Sequence, residues 1–345
     1  MYLIYKNLKI RKKDSTLFFI IGVLFCAFIA FFKEYIFPEK YFFDSVTLQY
    51  AIDHPIRERL EQSFSNTAKF YRILHIDKNF VAPLLCIVTY FLLIVKLFKN
   101  YSIEYISFFS YILVVAYSAI AMVYLATYSK DFLLFLLVII PFVYFEKKSI
   151  IIWTLFVVFY AYFFRTYWFI SIALFWGIKL FIIKSPKKFL LLIPLVYLAM
   201  NFVYHYIFGT SITAIREGAN TDRDIESGQT IIKTYIEGSN LLSESLNSIV
   251  TLVFFIVPIP LFLLLKPFYI ILTLLIVVFF YNFLKFYLNE SRHKEFENIF
   301  SFVISFMIVQ SLFEPDYGSF VRHLSPLYPF IFLCIVKNTR VEVEE

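Results

Sequence analysis

The chain predicts an all-α, polytopic integral membrane protein with about ten or eleven transmembrane helices, and three observations carry that expectation. Of 345 residues, 61% are hydrophobic and 17% charged, against about 45–50% and about 25% in soluble domains. Mean hydropathy is +0.76. The apolar residues gather in runs long enough to be helices that span a bilayer, which needs roughly 20 residues each. Seven Gly and 12 Pro exclude collagen-like and low-complexity chains. The expectation is a single membrane domain over 1–345, because the loops are too small to fold separately.

In chain order, a basic leader, Lys6–Lys13, precedes the apolar run Leu17–Phe32, and no small-residue cleavage site follows. This predicts a retained first span with the N-terminus inside. Spans are expected at 17–36, 80–98, 103–127, 131–145, 149–164, 168–183, 189–208, 268–288, 299–313 and 320–336. By alternation Lys96 and Lys99, Lys147 and Lys148, and Lys184, Lys187 and Lys188 fall inside. The opposite turns, Ser129–Asp131 and Arg165–Trp168, carry single cations. The net charge of +7 is therefore read as orientation, not as a nucleic-acid surface. Over 249–265 the Val-Pro-Ile-Pro segment, with Pro258 and Pro260, would break a continuous helix. Reading it as re-entrant keeps Arg292, Lys294, Lys337 and Arg340 inside and gives ten spans with both termini cytoplasmic; a full crossing gives eleven.

Two long outer loops follow from this topology, 37–79 and 209–248. The first mixes charges with helical stretches. The second holds Arg216-Glu217-Gly218 and Thr221-Asp222-Arg223-Asp224, then an amphipathic run from Thr230 to Leu246. Loops of this length in compact proteins are commonly functional. Cys26, Cys86 and Cys334 lie inside apolar stretches, without metal-like or disulfide-like spacing. No His, Cys or Asp set has zinc spacing, and phosphate-loop and nucleophile-elbow motifs are absent. Neither a metal nor another cofactor is expected.

The most informative segment is Glu314-Pro-Asp-Tyr-Gly-Ser-Phe-Val-Arg-His-Leu-Ser-Pro-Leu-Tyr-Pro, which opens the last span from the outer side. Arg322 and His323 lie about one turn below that mouth, with Pro326 and Pro329 beneath them. An arginine within a span costs about 2.5–3.5 kcal/mol and usually faces a cavity or partner. Arg322 either snorkels, pairs with Glu314 or Asp316, or binds an anion. Glu314 and Asp316 are themselves candidate substrate contacts at that mouth. Arg165 closes the fifth span in Phe-Phe-Arg-Thr-Tyr-Trp-Phe, and its planar fork of donors suits phosphate oxygens. Tyr167 and Trp168 are either interfacial-belt aromatics or a stacking surface for a sugar ring. Lys130 either neutralises Asp131 or contacts substrate. Asp44, soon after the first span, is either a helix-capping carboxylate or a general base. Arg165, Arg216, Arg223 and Arg322 would converge on one outer face, an arrangement suited to a diphosphate.

With these features the chain resembles the bacterial O-antigen polymerases, the enzymes that join oligosaccharide repeat units of surface polysaccharides. The resemblance rests on size, internal termini and two long outer loops. It also rests on the Arg-His-Leu-Ser-Pro-Leu-Tyr-Pro opening of the last span, Tyr-Phe-Phe-Asp-Ser after the first, the Val-Pro-Ile-Pro element and a Phe/Ile/Lys/Tyr-rich composition. The family's arginine motifs place a Gly about ten residues after an Arg; here Arg216 and Gly228 are separated by eleven. The resemblance implies glycosyl transfer at the periplasmic face of the inner membrane. Undecaprenyl-diphosphate-linked oligosaccharide would be both donor and acceptor, membrane lipids would surround the protein, and a chain-length regulator would be an open partner. Arg322 and Arg165 would hold the diphosphate, Arg216 and Arg223 would clamp from the loop, and His323 or Asp44 would be the base. Two alternatives stand beside it: a membrane glycosyltransferase that adds one sugar from a polyprenyl-phosphate donor, and a flippase or transporter of lipid-linked oligosaccharide.

Overall fold

In the computed structural model, residues 12–54, 61–76, 80–103, 106–182, 186–218, 230–238, 240–290 and 294–344 are described. The architecture is all-helical. Among the described residues there is no strand, and a β-bridge joins Ile231 and Asp316. The chain divides into two compact units, residues 1–169 with 322–345 and residues 170–321.

The first unit begins with α1 (Lys12–Ile36), followed by the short α2 (Phe43–Asp53) and α3 (Gln62–Ile73), then α4 (Val81–Asn100) and α5 (Phe108–Leu125). Helix α1 packs closely on α5 at Gly22, where an added Cβ would lie 3.0 Å from Val115 Cγ2. Tyr111 Oη donates to Phe18 O at 2.7 Å across the same seam. A small residue at such a contact lets two helices approach closely. Buried Lys33 closes the other end of this pair, donating to Ala126 O at 2.6 Å and Ala30 O at 2.9 Å. Ala126 follows the last turn of α5, where carbonyls lack helical partners and favour a cation.

Next come α6 (Lys130–Leu134), a π-helical turn over Phe135–Ile139 and α7 (Ile140–Phe145). The wide turn precedes Pro141, whose ring nitrogen donates no hydrogen bond. Trp153, on α8 (Ile150–Phe163), donates from Nε1 to Val138 O at 3.1 Å. The exposed apolar side chains of α1 and α8, among them Leu24, Phe28, Leu155 and Tyr162, give these helices faces suited to lipid.

From Trp168 the chain enters α9 (Trp168–Gly177) and a second π-helical turn, Ile178–Ile182. The second unit then contains α10 (Pro186–Phe208), α11 (Ile212–Gly218), α12 (Leu241–Ile256), α13 (Ile259–Phe262), α14 (Pro267–Glu290) and α15 (Glu297–Phe313). Helix α15 is buried without interruption from Ile299 to Leu312, its polar Ser301, Ser305, Gln310 and Ser311 included, and is the unit's central helix. Helix α10 ends at Gly209, which takes φ +65° and donates to His205 O at 2.8 Å, a glycine C-terminal stop. The chain breaks after Ile256 at Pro258, so α12 and α13 are separate, as the Val-Pro-Ile-Pro segment predicts.

Within the amphipathic run from Thr230 to Leu246, the helix begins at Leu241. Gly238, at φ +132°, lies outside helical geometry. Asn240 then caps α12 by accepting from Ser243 N at 2.8 Å, and the Asn247 carbonyl oxygen takes the backbone N–H groups of Tyr235 and Ile236. These side chains give residues 235 and 236 partners that a helix would otherwise have to supply.

The chain leaves the second unit along α16 (Tyr317–Leu324), passes a 3-10 turn over Ser325–Leu327 and ends in α17 (Tyr328–Glu344). Every residue from His323 to Val336 is buried, so α17 is the central helix of the first unit. Among the described residues, six helical segments are long and apolar enough to cross a membrane: Thr16–Ile36, Val81–Asn100, Phe108–Leu125, Leu191–Phe208, Pro267–Asn289 and Tyr317–Lys337. Shorter apolar helices cover Ile150–Phe163, Trp168–Leu180, Leu241–Ile256 and Glu297–Phe313. The three cysteines are buried and free.

Candidate functional site: a carboxylate-centred arginine cluster

In the first unit, four helix ends and turns bring charged side chains together. The turn before α6 is fixed by hydrogen bonds. Ser129 Oγ caps α6 by accepting from Phe132 N at 3.0 Å. Tyr71 Oη donates to Ser129 O at 2.8 Å and accepts from Ser129 N, while Tyr160 Oη donates to Lys130 O at 3.0 Å. Asp131 is thereby held in the first turn of α6, where a helix favours negative charge.

Asp131 is 2% exposed and is the hub of the cluster. Arg165 grips it with both branches of its fork, Nη1 to Oδ1 at 2.6 Å and Nη2 to Oδ2 at 3.3 Å. Arg322 Nε lies 3.7 Å from Oδ2 and His323 Nε2 3.9 Å from Oδ1. Arg322 also donates from Nη1 to Asp44 Oδ2 at 2.6 Å. The two ion pairs differ in access. Side-chain exposure is 11% for Arg165 and 2% for Asp131, but 23% for Arg322 and 48% for Asp44.

The local sequence accounts for these positions. Asp44 occupies the first turn of α2, and the next residue, Ser45, meets Thr127 hydroxyl to hydroxyl beside the end of α5. Pro326 has no N–H for the Arg322 carbonyl, and Ser325 Oγ donates to that oxygen at 2.6 Å instead. Arg165 sits in the tight turn between α8 and α9, where its Nη1 also donates to Tyr167 Oη at 3.2 Å.

Lys130 does not make a short contact with its neighbour Asp131. Adjacent residues on a helix point about 100° apart and do not face each other. Its Nζ donates to Ser63 Oγ at 2.7 Å and lies 3.6 Å from the centre of the Phe64 ring. Among the described residues Lys130 touches no carboxylate directly. Burial, with the Arg165 guanidinium beside it, pushes the Lys130 ammonium down to about 8, against the opposing pull of Glu61, Asp44 and Asp131. Burial disfavours the charged form of Arg165, but Asp131 outweighs it and raises the guanidinium above its ordinary range.

Asp44, Lys130, Arg165, Tyr167, Arg322 and His323, all singled out from sequence, thus meet around Asp131, which was not. Trp168 is fully buried, edge-on to Tyr160 with ring centres 5.9 Å apart; it packs the turn and presents no open face for a sugar. The remaining candidates belong to the second unit. Arg216 is 2% exposed and donates from Nη1 to Thr251 Oγ1 at 3.0 Å. Burial pushes its guanidinium below the ordinary range. Glu314 is buried at the end of α15, and Asp316 caps α16 by accepting from Ser319 N at 2.9 Å and Ser319 Oγ at 2.8 Å. Arg223 lies outside the described residues. Among the described residues no group of three His, Cys, Asp or Glu side chains is placed to hold a metal ion.

The chemistry available in the first unit is anion binding by fixed guanidinium and ammonium groups, next to a half-exposed carboxylate able to accept a proton. No protein-family model, curated protein or solved structure matches the chain.

Proposed function

We propose that the protein is a membrane glycosyltransferase that joins undecaprenyl-diphosphate-linked oligosaccharide repeat units, an O-antigen polymerase. In this reading it works at the periplasmic face of a bacterial inner membrane, with ten spans and both termini cytoplasmic. The observation that carries the reading is Arg322. Its guanidinium is shared between Asp44 and Asp131 at the ends of apolar helices, with Arg165 and Lys130 nearby.

A hydroxyl at the nonreducing end of the incoming unit attacks the anomeric carbon of the growing glycan. The new C–O glycosidic bond forms as the bond from that carbon to the diphosphate oxygen breaks. The hydroxyl proton passes to the Asp44 carboxylate, and lipid diphosphate leaves with the bonding electron pair. Arg322 and Lys130 face the charge that grows on the leaving oxygen, where fixed donors stabilise a transition state most. Arg165 acts through Asp131, holding the hub in place, and His323 completes the ring of groups around it.

The test is a gel of surface lipopolysaccharide from source cells lacking the gene. Loss of the ladder to core plus one repeat unit supports polymerisation. Core without any repeat assigns the protein to an earlier step, sugar addition or flipping, and an unchanged ladder refutes the assignment.

A further inference from the structure

We infer that Asp44 is the resting occupant of the anion site on Arg322, and that a diphosphate displaces it. This rests on the reading of the cluster as a diphosphate site and assigns its two ion pairs different jobs.

The pairs are chemically alike but physically opposite. The Asp131–Arg165 pair is bidentate and closed from water. A ligand could take Arg165 only by leaving a buried carboxylate without its main partner, which is severely unfavourable. The Asp44–Arg322 contact is a single short hydrogen bond, and its carboxylate is half exposed. A pair open to solvent on its carboxylate side contributes less than an enclosed one. Asp44 also stands in the first turn of α2, where the helix end continues to stabilise its charge after Arg322 is lost. Arg322 keeps Asp131 at 3.7 Å as a second anchor, so its guanidinium stays aimed while Nη1 changes partner. Lys130, which touches no carboxylate among the described residues, supplies a second cation.

While Arg322 holds it, Asp44 Oδ2 is engaged as a hydrogen-bond acceptor. A diphosphate that takes over Nη1 leaves both carboxylate oxygens open to the acceptor hydroxyl.

The experiment uses the full-length protein in detergent, with inorganic pyrophosphate as the probe and calorimetry as the readout. Asp44→Asn and Asp44→Ala should each bind pyrophosphate about fivefold more tightly than the native protein, the gain from removing a competing, partly exposed pair. Arg322→Lys should bind more weakly than the native protein. Unchanged or weaker binding in both Asp44 variants, with native binding intact and sensitive to Arg322→Lys, overturns the displacement but leaves the anion site standing. Absence of pyrophosphate binding in the native protein and in both Asp44 variants overturns the site itself.

Discussion

Asp131→Asn is the most informative single substitution in the first unit. It preserves shape and removes the charge at the centre of the cluster. The carboxylate is 2% exposed and faces Arg165 at 2.6 and 3.3 Å, Arg322 at 3.7 Å and His323 at 3.9 Å. Without it the Arg165 guanidinium is enclosed with no carboxylate in contact. Breaking a buried pair by removing one member costs about 3–5 kcal/mol; because asparagine keeps one acceptor oxygen, the lower end, about 3 kcal/mol, is expected. Replacing both members with uncharged groups is far milder, so Asp131→Asn with Arg165→Met should recover at least about 2 kcal/mol relative to the sum of the single changes. Unfolding in mixed micelles, followed by tryptophan fluorescence, measures all four proteins; Trp168, packed on Tyr160 at the Arg165 turn, is a local reporter. A single-variant loss below about 0.5 kcal/mol, or strict additivity in the cycle, would refute the idea that Asp131 organises the cluster.

Four further outcomes are expected. Arg322→Lys, which cannot span Asp44 and Asp131 with one planar fork, should lower glycosyl transfer in membranes by about 100-fold, in line with the loss of one transition-state donor. Pyrophosphate binding should weaken as pH rises through about 8, because Lys130, among Glu61, Asp44, Asp131 and Arg165, loses its proton there; Lys130→Arg should remove that step. The stability effect has the opposite sign. Between about 8 and the ordinary lysine range the unfolded chain binds the proton and the folded chain does not, so folding stability attributable to Lys130 rises with pH. Gly22→Leu should destabilise the α1–α5 pair by about 1–3 kcal/mol, read by the same unfolding assay, because Val115 and Tyr111 already occupy the space at 3.0 and 3.2 Å.

The helical membrane character and most of the charged cluster were legible in the sequence for the same reason. A cation in an apolar chain is costly, so Arg322 and Arg165 stand out. Asp131 did not, because its neighbour Lys130 offers an obvious partner on paper. Helical geometry points those two side chains apart, and the true partner, Arg165, arrives from the turn after α8. Trp168 shows the converse. An aromatic beside an outer turn suits an interface, but the turn folds its ring inward. Between Thr230 and Leu246 the sequence shows only an amphipathic run, and the side-chain hydrogen bonds of Asn247 with residues 235 and 236 do not register in such spacing.

The unequal enclosure of the two ion pairs also makes them unequal toward dissolved salt. At physiological ionic strength fields between exposed charges fade over about 8 Å, and at 1 M over about 3 Å, whereas enclosed charges are screened far less. Salt therefore weakens the hold of Asp44 on Arg322 while leaving Asp131 and Arg165 locked together. Ionic strength is thus a reagent that loosens one carboxylate of the cluster and spares the other.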